Sequence, residues 1–232
     1  MSFGILRVTA TKKPPYRTKV SVCSTAQLAD FGFVYDAPVW ATPQLEGFTL
    51  ALLEDEHREK DSGKLIHVGR TGNKLVLTLN FAKNFSVVGL SAGDFLAARY
   101  EYGVITARKL PQAQKYYVVG AQDYCTFLQL CGAWLNDAGF LPYTIVTVAV
   151  QQDFITLRLW DDPAATYSDI VKVARMHQYQ VIQPQRNQHF TIINLDDYLL
   201  NRAGLDTGDI AGVHYEYGCI TLFKPDLQKL GF

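Results

Sequence analysis

The sequence predicts a β-rich α+β protein in which one small strand–helix–hairpin unit occurs four times and pairs into two pseudo-dimeric halves. Three observations predict it. The segment Tyr100-Glu-Tyr-Gly-Val-Ile-Thr106 recurs as Tyr215-Glu-Tyr-Gly-Cys-Ile-Thr221, with six identities in seven positions. Upstream, Gly89-Leu-Ser-Ala-Gly-Asp94 matches Gly204-Leu-Asp-Thr-Gly-Asp209 at the same offset and without a gap. Aligning on that first glycine uncovers two fainter copies, 32–49 and 139–156. In all four a large apolar residue follows the glycine (Phe33, Leu90, Phe140, Leu205), and a threonine stands seventeen positions after it (Thr49, Thr106, Thr156, Thr221). The starts are 57, 50 and 65 residues apart, the spacing of divergent duplication rather than of a regular solenoid.

Each copy opens with a strand: residues 19–23, 75–79, 126–130 and 190–193. A short helix follows, its apolar pair three residues apart on one face: Leu28 and Phe31, Phe85 and Val88, Leu135 and Ala138, Leu200 and Ala203. The repeat glycine then occupies a left-handed C-cap, and the next apolar residue folds back on the helix end. After the stop, period-two alternation marks a strand, clearest at Val146, Val148 and Val150 and at Leu96, Ala98 and Tyr100. Gly103 and Gly218 sit at the turns of the hairpins that follow; in the third copy Gln151-Gln-Asp153 replaces the glycine turn. A unit of about 35 residues cannot bury a useful core alone, so the units must pair.

The predicted organisation is a basic N-terminal arm at 1–16, a first half at 17–111, a linker at 112–123, a second half at 124–225 and a C-terminal tail at 226–232. The insertion at 54–73 reads as a solvated loop or short helix plus a strand. The insertion at 161–188 predicts a helix capped by Ser168.

Composition bounds the function. The 232 residues are 48% hydrophobic and 19% charged, the signature of a globular chain. Twenty-two basic residues balance 22 acidic ones, so any polyanion surface must be a local patch. No apolar run approaches the ~18–20 residues of a membrane span, and residues 1–10 lack a secretory layout. A cytoplasmic location without membrane contact is expected. Cys23, Cys125, Cys131 and Cys219 form no Cys-x-x-Cys pair and read as small buried hydrophobes; no metal or other cofactor is expected.

The run Leu128-Gln-Leu-Cys-Gly-Ala-Trp-Leu-Asn-Asp-Ala-Gly-Phe140 with the two strands after it resembles the SymE toxin family, matching at Gly132, Trp134, Leu135, Ala138, Gly139 and Phe140. The Gly-Leu-x-x-Gly-Asp units look like the swapped-hairpin fold of AbrB- and MazE-type regulators and antitoxins. The SymE match covers residues 128–159 and the looser likeness about two-thirds of the chain. The resemblance implies interlocked units that present basic side chains to DNA, in a toxin–antitoxin or mobile-element setting. The chain departs from the family in holding four units and in its zero net charge.

The expected nucleic-acid contacts are Lys12, Lys13, Arg17 and Lys19 on the arm, with Arg99, Arg108 and Arg158 on the strand face that carries the shared threonines. Glu101 and Glu216 project from that face too, which favours ordinary cross-strand ion pairs over a basic strip. Catalysis has little support beyond Glu56, His57, Glu59 and Asp61, a mixed charge run that reads as wet surface. The leading expectation is a non-enzymatic DNA-binding regulator or nucleoid-associated protein. The alternatives are a protein-interaction module (an inhibitor or immunity protein) on the same scaffold and a SymE-like RNA-cleaving toxin. The partner is DNA, RNA or a protein, and the chain is a monomer with internal pseudo-dimers or a homodimer.

Overall fold

A helix of only five or six residues has no propensity to speak of and survives by its caps and its packing. Three such helices, α1 (Thr25–Asp30), α2 (Ala133–Asp137) and α3 (Asp197–Arg202), occur among the described residues. Each ends in the same pair of hydrogen bonds. Gly32, Gly139 and Gly204 donate to the carbonyls of Ala29, Asn136 and Asn201, and the next residue donates to Leu28, Leu135 and Leu200. That is the Schellman stop, and it requires a left-handed residue at the glycine. The three glycines have φ of +85°, +85° and +69°, and Gly89 has +69°. At Gly139 the need is doubled, because a Cβ there would lie 2.9 Å from the Tyr217 ring and 3.0 Å from Leu159.

The computed structural model describes residues 2–11, 18–23, 25–53, 63–81, 89–160, 180–187 and 190–232. The expected helix at 161–179, the charged run 54–62 and the expected helix around Phe85 and Val88 lie outside them. The described chain is strand-rich and divides into two units, residues 1–112 with 226–232 and residues 113–225.

Unit 1 holds β1 (Ser2–Ala10), β2 (Thr18–Cys23), β3 (Pro38–Gln44), β4 (Gly47–Leu52), β5 (Lys64–His67), β6 (Gly69–Thr71), β7 (Lys74–Phe81), β8 (Phe95–Glu101) and β9 (Val104–Lys109). They form one antiparallel sheet in the order β5-β3-β4-β9-β8-β1-β2-β7-β6. Unit 2 holds β10 (Lys115–Val118), β11 (Gly120–Gln122), β12 (Cys125–Cys131), β13 (Val146–Gln151), β14 (Phe154–Leu159), β15 (Gln180–Ile182), β16 (Gln185–Asn187), β17 (Phe190–Leu195), β18 (Ile210–Glu216) and β19 (Cys219–Phe223). Its sheets run β10-β18-β19-β14-β13-β15 and β11-β12-β17-β16.

The two units share their connections. β2, which precedes α1, pairs antiparallel with β7, and β12 and β17, which precede α2 and α3, pair with each other in the same way. In each unit, two hairpins meet edge to edge, β4 against β9 and β14 against β19. The register at both seams sets Thr49 opposite Thr106 and Thr156 opposite Thr221, so the threonines aligned from sequence face one another. A Thr–Thr cross-strand pair contributes only ~0.2–1 kcal/mol. Burying a Leu or Phe side chain is worth roughly 1.5–3 kcal/mol, so each seam is held mainly by the core beneath it. In unit 1 that core joins Leu28, Phe33, Phe48 and Leu50 to Leu77, Leu79, Leu96 and Ile105; in unit 2 it joins Leu135, Phe140, Val148 and Ile155 to Ile193, Leu200, Leu205 and Ile220.

The aspartate of each Gly-Leu-x-x-Gly-Asp run closes its own turn. Asp94 accepts from the Ser91 N–H at 2.6 Å and Asp209 from that of Asp206 at 2.7 Å. The lysine that ends the following hairpin strand, or lies one residue past it, pairs with the same carboxylate: Lys109 with Asp94 at 3.0 Å, Lys224 with Asp209 at 2.6 Å.

Several expectations are corrected. Within the expected arm at 1–16, Ser2–Ala10 is a strand between β8 and β2, with Leu6 and Val8 buried against alternating Arg7 and Thr9, and residues 12–16 lie outside the described residues. The linker 112–123 holds β10 and β11, because Tyr116 and Val119 bury and the backbone of residues 115–118 pairs with β18. Residues 226–232, expected as a free tail, belong to unit 1. The insertion 54–73 yields two strands in its described part, β5 and β6. Cys125 and Cys131 are exposed rather than buried, since β12 turns Leu128 and Leu130 inward and its odd-numbered positions outward; Cys219 is half-buried and, like them, free.

Two stability predictions follow from these contacts. Gly139→Ala will lose about 2–4 kcal/mol in urea unfolding, against about 1 kcal/mol for Gly218→Ala, whose φ is +79° but whose Cβ would meet open space. Tyr100, 3% exposed, has its phenol pushed up to about 12 by burial. The folded state therefore holds that proton more tightly than the unfolded chain, and stability will fall as pH rises from about 10 to 12. Tyr100→Phe will flatten that fall, as measured by urea midpoints across the range.

Candidate nucleic-acid interface

A phosphate-binding strip needs cations that share a face, lack acidic partners and reach solvent. The sequence-predicted residues meet these conditions unevenly. Lys12, Lys13 and Arg17 lie outside the described residues. Lys19 sits on β2 opposite Thr9 and Asn80, half-buried, on the side of the strand away from buried Val20 and Val22.

Arg99 and Arg108 do share a face. Arg99 stands opposite Thr106 on β8, and Arg108 lies two residues beyond that threonine on β9. Arg158 belongs to unit 2, where it is exposed on β14 opposite Thr147 and Cys219. The single three-arginine strip is therefore two separate features, one in each unit.

Arg99 is engaged from two directions. Its Nη2 lies 3.3 Å from the carboxylate of Glu101, two residues on along the same strand, rather than from an acid on the neighbouring strand as expected. Its guanidinium also stacks on Phe232, 5.8 Å from the ring centroid, and Phe232 packs edge-on against Phe3 at 5.7 Å. Phe3 lies directly opposite Arg99 on the neighbouring strand. The Arg99 Nε is buried and donates to nothing.

Arg108 opens onto a groove of about 400 Å³ whose lining includes Gln44, Glu46, Lys109, Lys229 and Leu230. Lys109 is tied to Asp94, and Lys229 to Asp226 at 3.1 Å. Among the described residues Arg108 makes no ion pair, and Glu46 supplies the one carboxylate of the lining. The Gln44 side-chain oxygen is buried without a partner. Sequence reasoning missed this groove. Lys109 was within reach, because it stands twenty positions after Gly89 as Lys224 does after Gly204; residues 229–231 carry no signal that would seat them there.

The corresponding face of unit 2 is closed by aromatics. His214 stacks on Phe223 with centroids 5.2 Å apart, and Tyr116 meets the same ring edge-on at 6.3 Å. Burial raises the Tyr116 phenol well above its ordinary range. On the core side Trp134 packs on Tyr215 at 4.7 Å, donates from Nε1 to the Cys131 carbonyl and carries Lys115 over its ring at 5.6 Å.

The paired tyrosines split by position. Tyr100 is buried and Tyr215 half-buried, whereas Tyr102 and Tyr217, at the hairpin tips, are 79% and 81% exposed. Glu56, His57, Glu59 and Asp61 lie outside the described residues. Among the described residues no cluster of His, Cys, Asp or Glu could hold a metal ion, and no helix is long and apolar enough to cross a membrane.

No family model and no curated protein matches the chain. Among solved structures it aligns with a Caulobacter crescentus β sliding clamp crystallised with polyethylene glycol and with Caulobacter crescentus pol III beta. Each alignment has 14% identity and a TM-score of 0.14, over 95% of this chain and 56% of the other. The chain thus spans little more than half the length of those proteins, and so loose a superposition carries no argument about fold or function.

Proposed function

We propose that the chain is a cytoplasmic, non-enzymatic nucleic-acid-binding protein built from four strand–helix–hairpin units of SymE/AbrB type, paired into two pseudo-dimeric halves. The observation that carries this reading is the doubled seam at Thr49–Thr106 and Thr156–Thr221, with β2 also paired to β7 and β12 to β17. Two hairpins that meet about a shared residue while their leading strands also meet are what interlocked copies of one unit require. The identical helix stops at Gly32, Gly139 and Gly204 support the same reading. DNA is the ligand implied by the resemblance, and Arg108, Lys19 and Arg158 are the described cations left to contact its phosphates.

A second reading, a protein-interaction module on the same scaffold, is favoured by the exposed Tyr102 and Tyr217 and by the zero net charge. Aromatics of this kind anchor protein interfaces.

Fluorescence anisotropy with a duplex of about 20 base pairs, at ~50 and ~200 mM salt, separates the two. The nucleic-acid reading expects micromolar or tighter binding at the lower salt and at least a tenfold loss at the higher. Arg108→Ala will then weaken binding by about three- to tenfold and lower the salt slope by about one. Absence of binding at low salt overturns the nucleic-acid reading and leaves the interaction module, for which Tyr102→Ala and Tyr217→Ala are the informative changes.

A further inference from the structure

We infer that residues 226–232 form an internal strap that competes with a phosphodiester ligand for the Arg99–Arg108 face of unit 1. The inference rests on the nucleic-acid reading for its ligand, but not for the strap itself.

The strap packs on unit 1 through an aromatic end and a short turn. Phe232 is its anchor, held between the edge of Phe3 and the guanidinium of Arg99. Lys229 and Leu230 wall the groove into which Arg108 opens. Lys229 is paired within the strap, to Asp226 at 3.1 Å. A guanidinium is best satisfied by oxygen acceptors placed in its plane. Arg99 has one, Glu101, while its Nε is buried with no acceptor. A phosphate oxygen brought to this face would supply the acceptor that the folded chain withholds.

Unit 2 supplies a comparison. There the positions equivalent to Arg99 and Arg108 hold His214 and Phe223, which stack on one another, and Phe223 lies on strand β19 itself. That aromatic contact is fixed in the sheet. In unit 1 the ring comes from a segment that follows Pro225 and has its own short 3-10 turn, Gln228–Leu230, so it can leave without breaking a strand pair.

The test uses the full chain with Phe232→Ala and, separately, Phe3→Ala, which removes the other side of the seat. Phenylglyoxal labelling read by mass spectrometry reports the strap without any nucleic acid: Arg99 is expected to react several-fold faster in both variants than in the parent, with the far-UV circular dichroism unchanged. Equal labelling of Arg99 in the parent and in Phe232→Ala overturns the strap. Duplex binding then reports the competition. A gain of roughly five- to fiftyfold, the worth of one aromatic and one cation–π contact, is expected with a salt slope steeper by about one or two. Faster labelling with unchanged duplex affinity in a protein that binds DNA overturns the competition. Faster labelling with no binding by either protein overturns the nucleic-acid reading while the strap stands.

Discussion

A helix of five or six residues that ends on a glycine buries little by itself, and the packing of each unit depends on how the chain closes over that helix end. Phe33 and Phe140 close the helix ends, yet each is fully buried only because strands from elsewhere in its unit complete the cluster around it. The glycine stop is what makes the closure geometrically available. It ends the helix within two residues and turns the chain so that Phe33 or Phe140 points back under the helix rather than out to water. The tips of the opposite hairpins then dock on that stop. Gly103 and Gly218 donate to the carbonyls of Phe31 and Ala138, and the Tyr102 and Tyr217 rings lie over Gly32 and Gly139. Chain reversal, core closure and hairpin docking therefore share one glycine in each case.

Much of this was legible in the chain because it is written more than once. The strands at 19–23, 75–79, 126–130 and 190–193 and the glycine stops at 32, 139 and 204 came from self-alignment, where a weak local signal gains from recurring at a fixed offset; that the aligned threonines face one another was added by the structure. The strands that self-alignment did not reach were missed. β1 alternates Leu6 and Val8 with Arg7 and Thr9, but the lysines just after it drew that region toward an arm. β10 and β11 are four and three residues long and follow closely on Pro111, too short for periodicity to register. They also show why unit 1 has one sheet and unit 2 has two. Val8 exchanges backbone hydrogen bonds with Asp94 and Gly93 inside an unbroken β1, whereas Val119 makes the same exchange with Asp209 and Gly208 at the point where β10 ends and β11 has not begun.

The candidate interface was less legible, for a physical reason. Strand alternation tells which side of a sheet a residue occupies, and it placed Arg99, Arg108 and Glu101 together correctly. It cannot tell what lies on top. Phe232 is more than a hundred residues from Arg99 in sequence and belongs to no periodic element, so nothing local announces that it covers the guanidinium. Nor does a residue count reveal that two of the three cations around the groove already have carboxylate partners.

The two hairpins that face one another at each seam do not match. From Thr106 the strand continues two residues to Arg108, while from Thr49, its facing partner, it continues to Ala51. From Thr156 it continues to Arg158, and from Thr221 to Phe223. Each seam thus ends in a guanidinium on one flank and an apolar side chain on the other. An assembly of identical subunits would carry the same group at both flanks and could not distinguish left from right. This molecule can: its seams have a polarity, and whatever docks along either one meets a chemical head and a chemical tail.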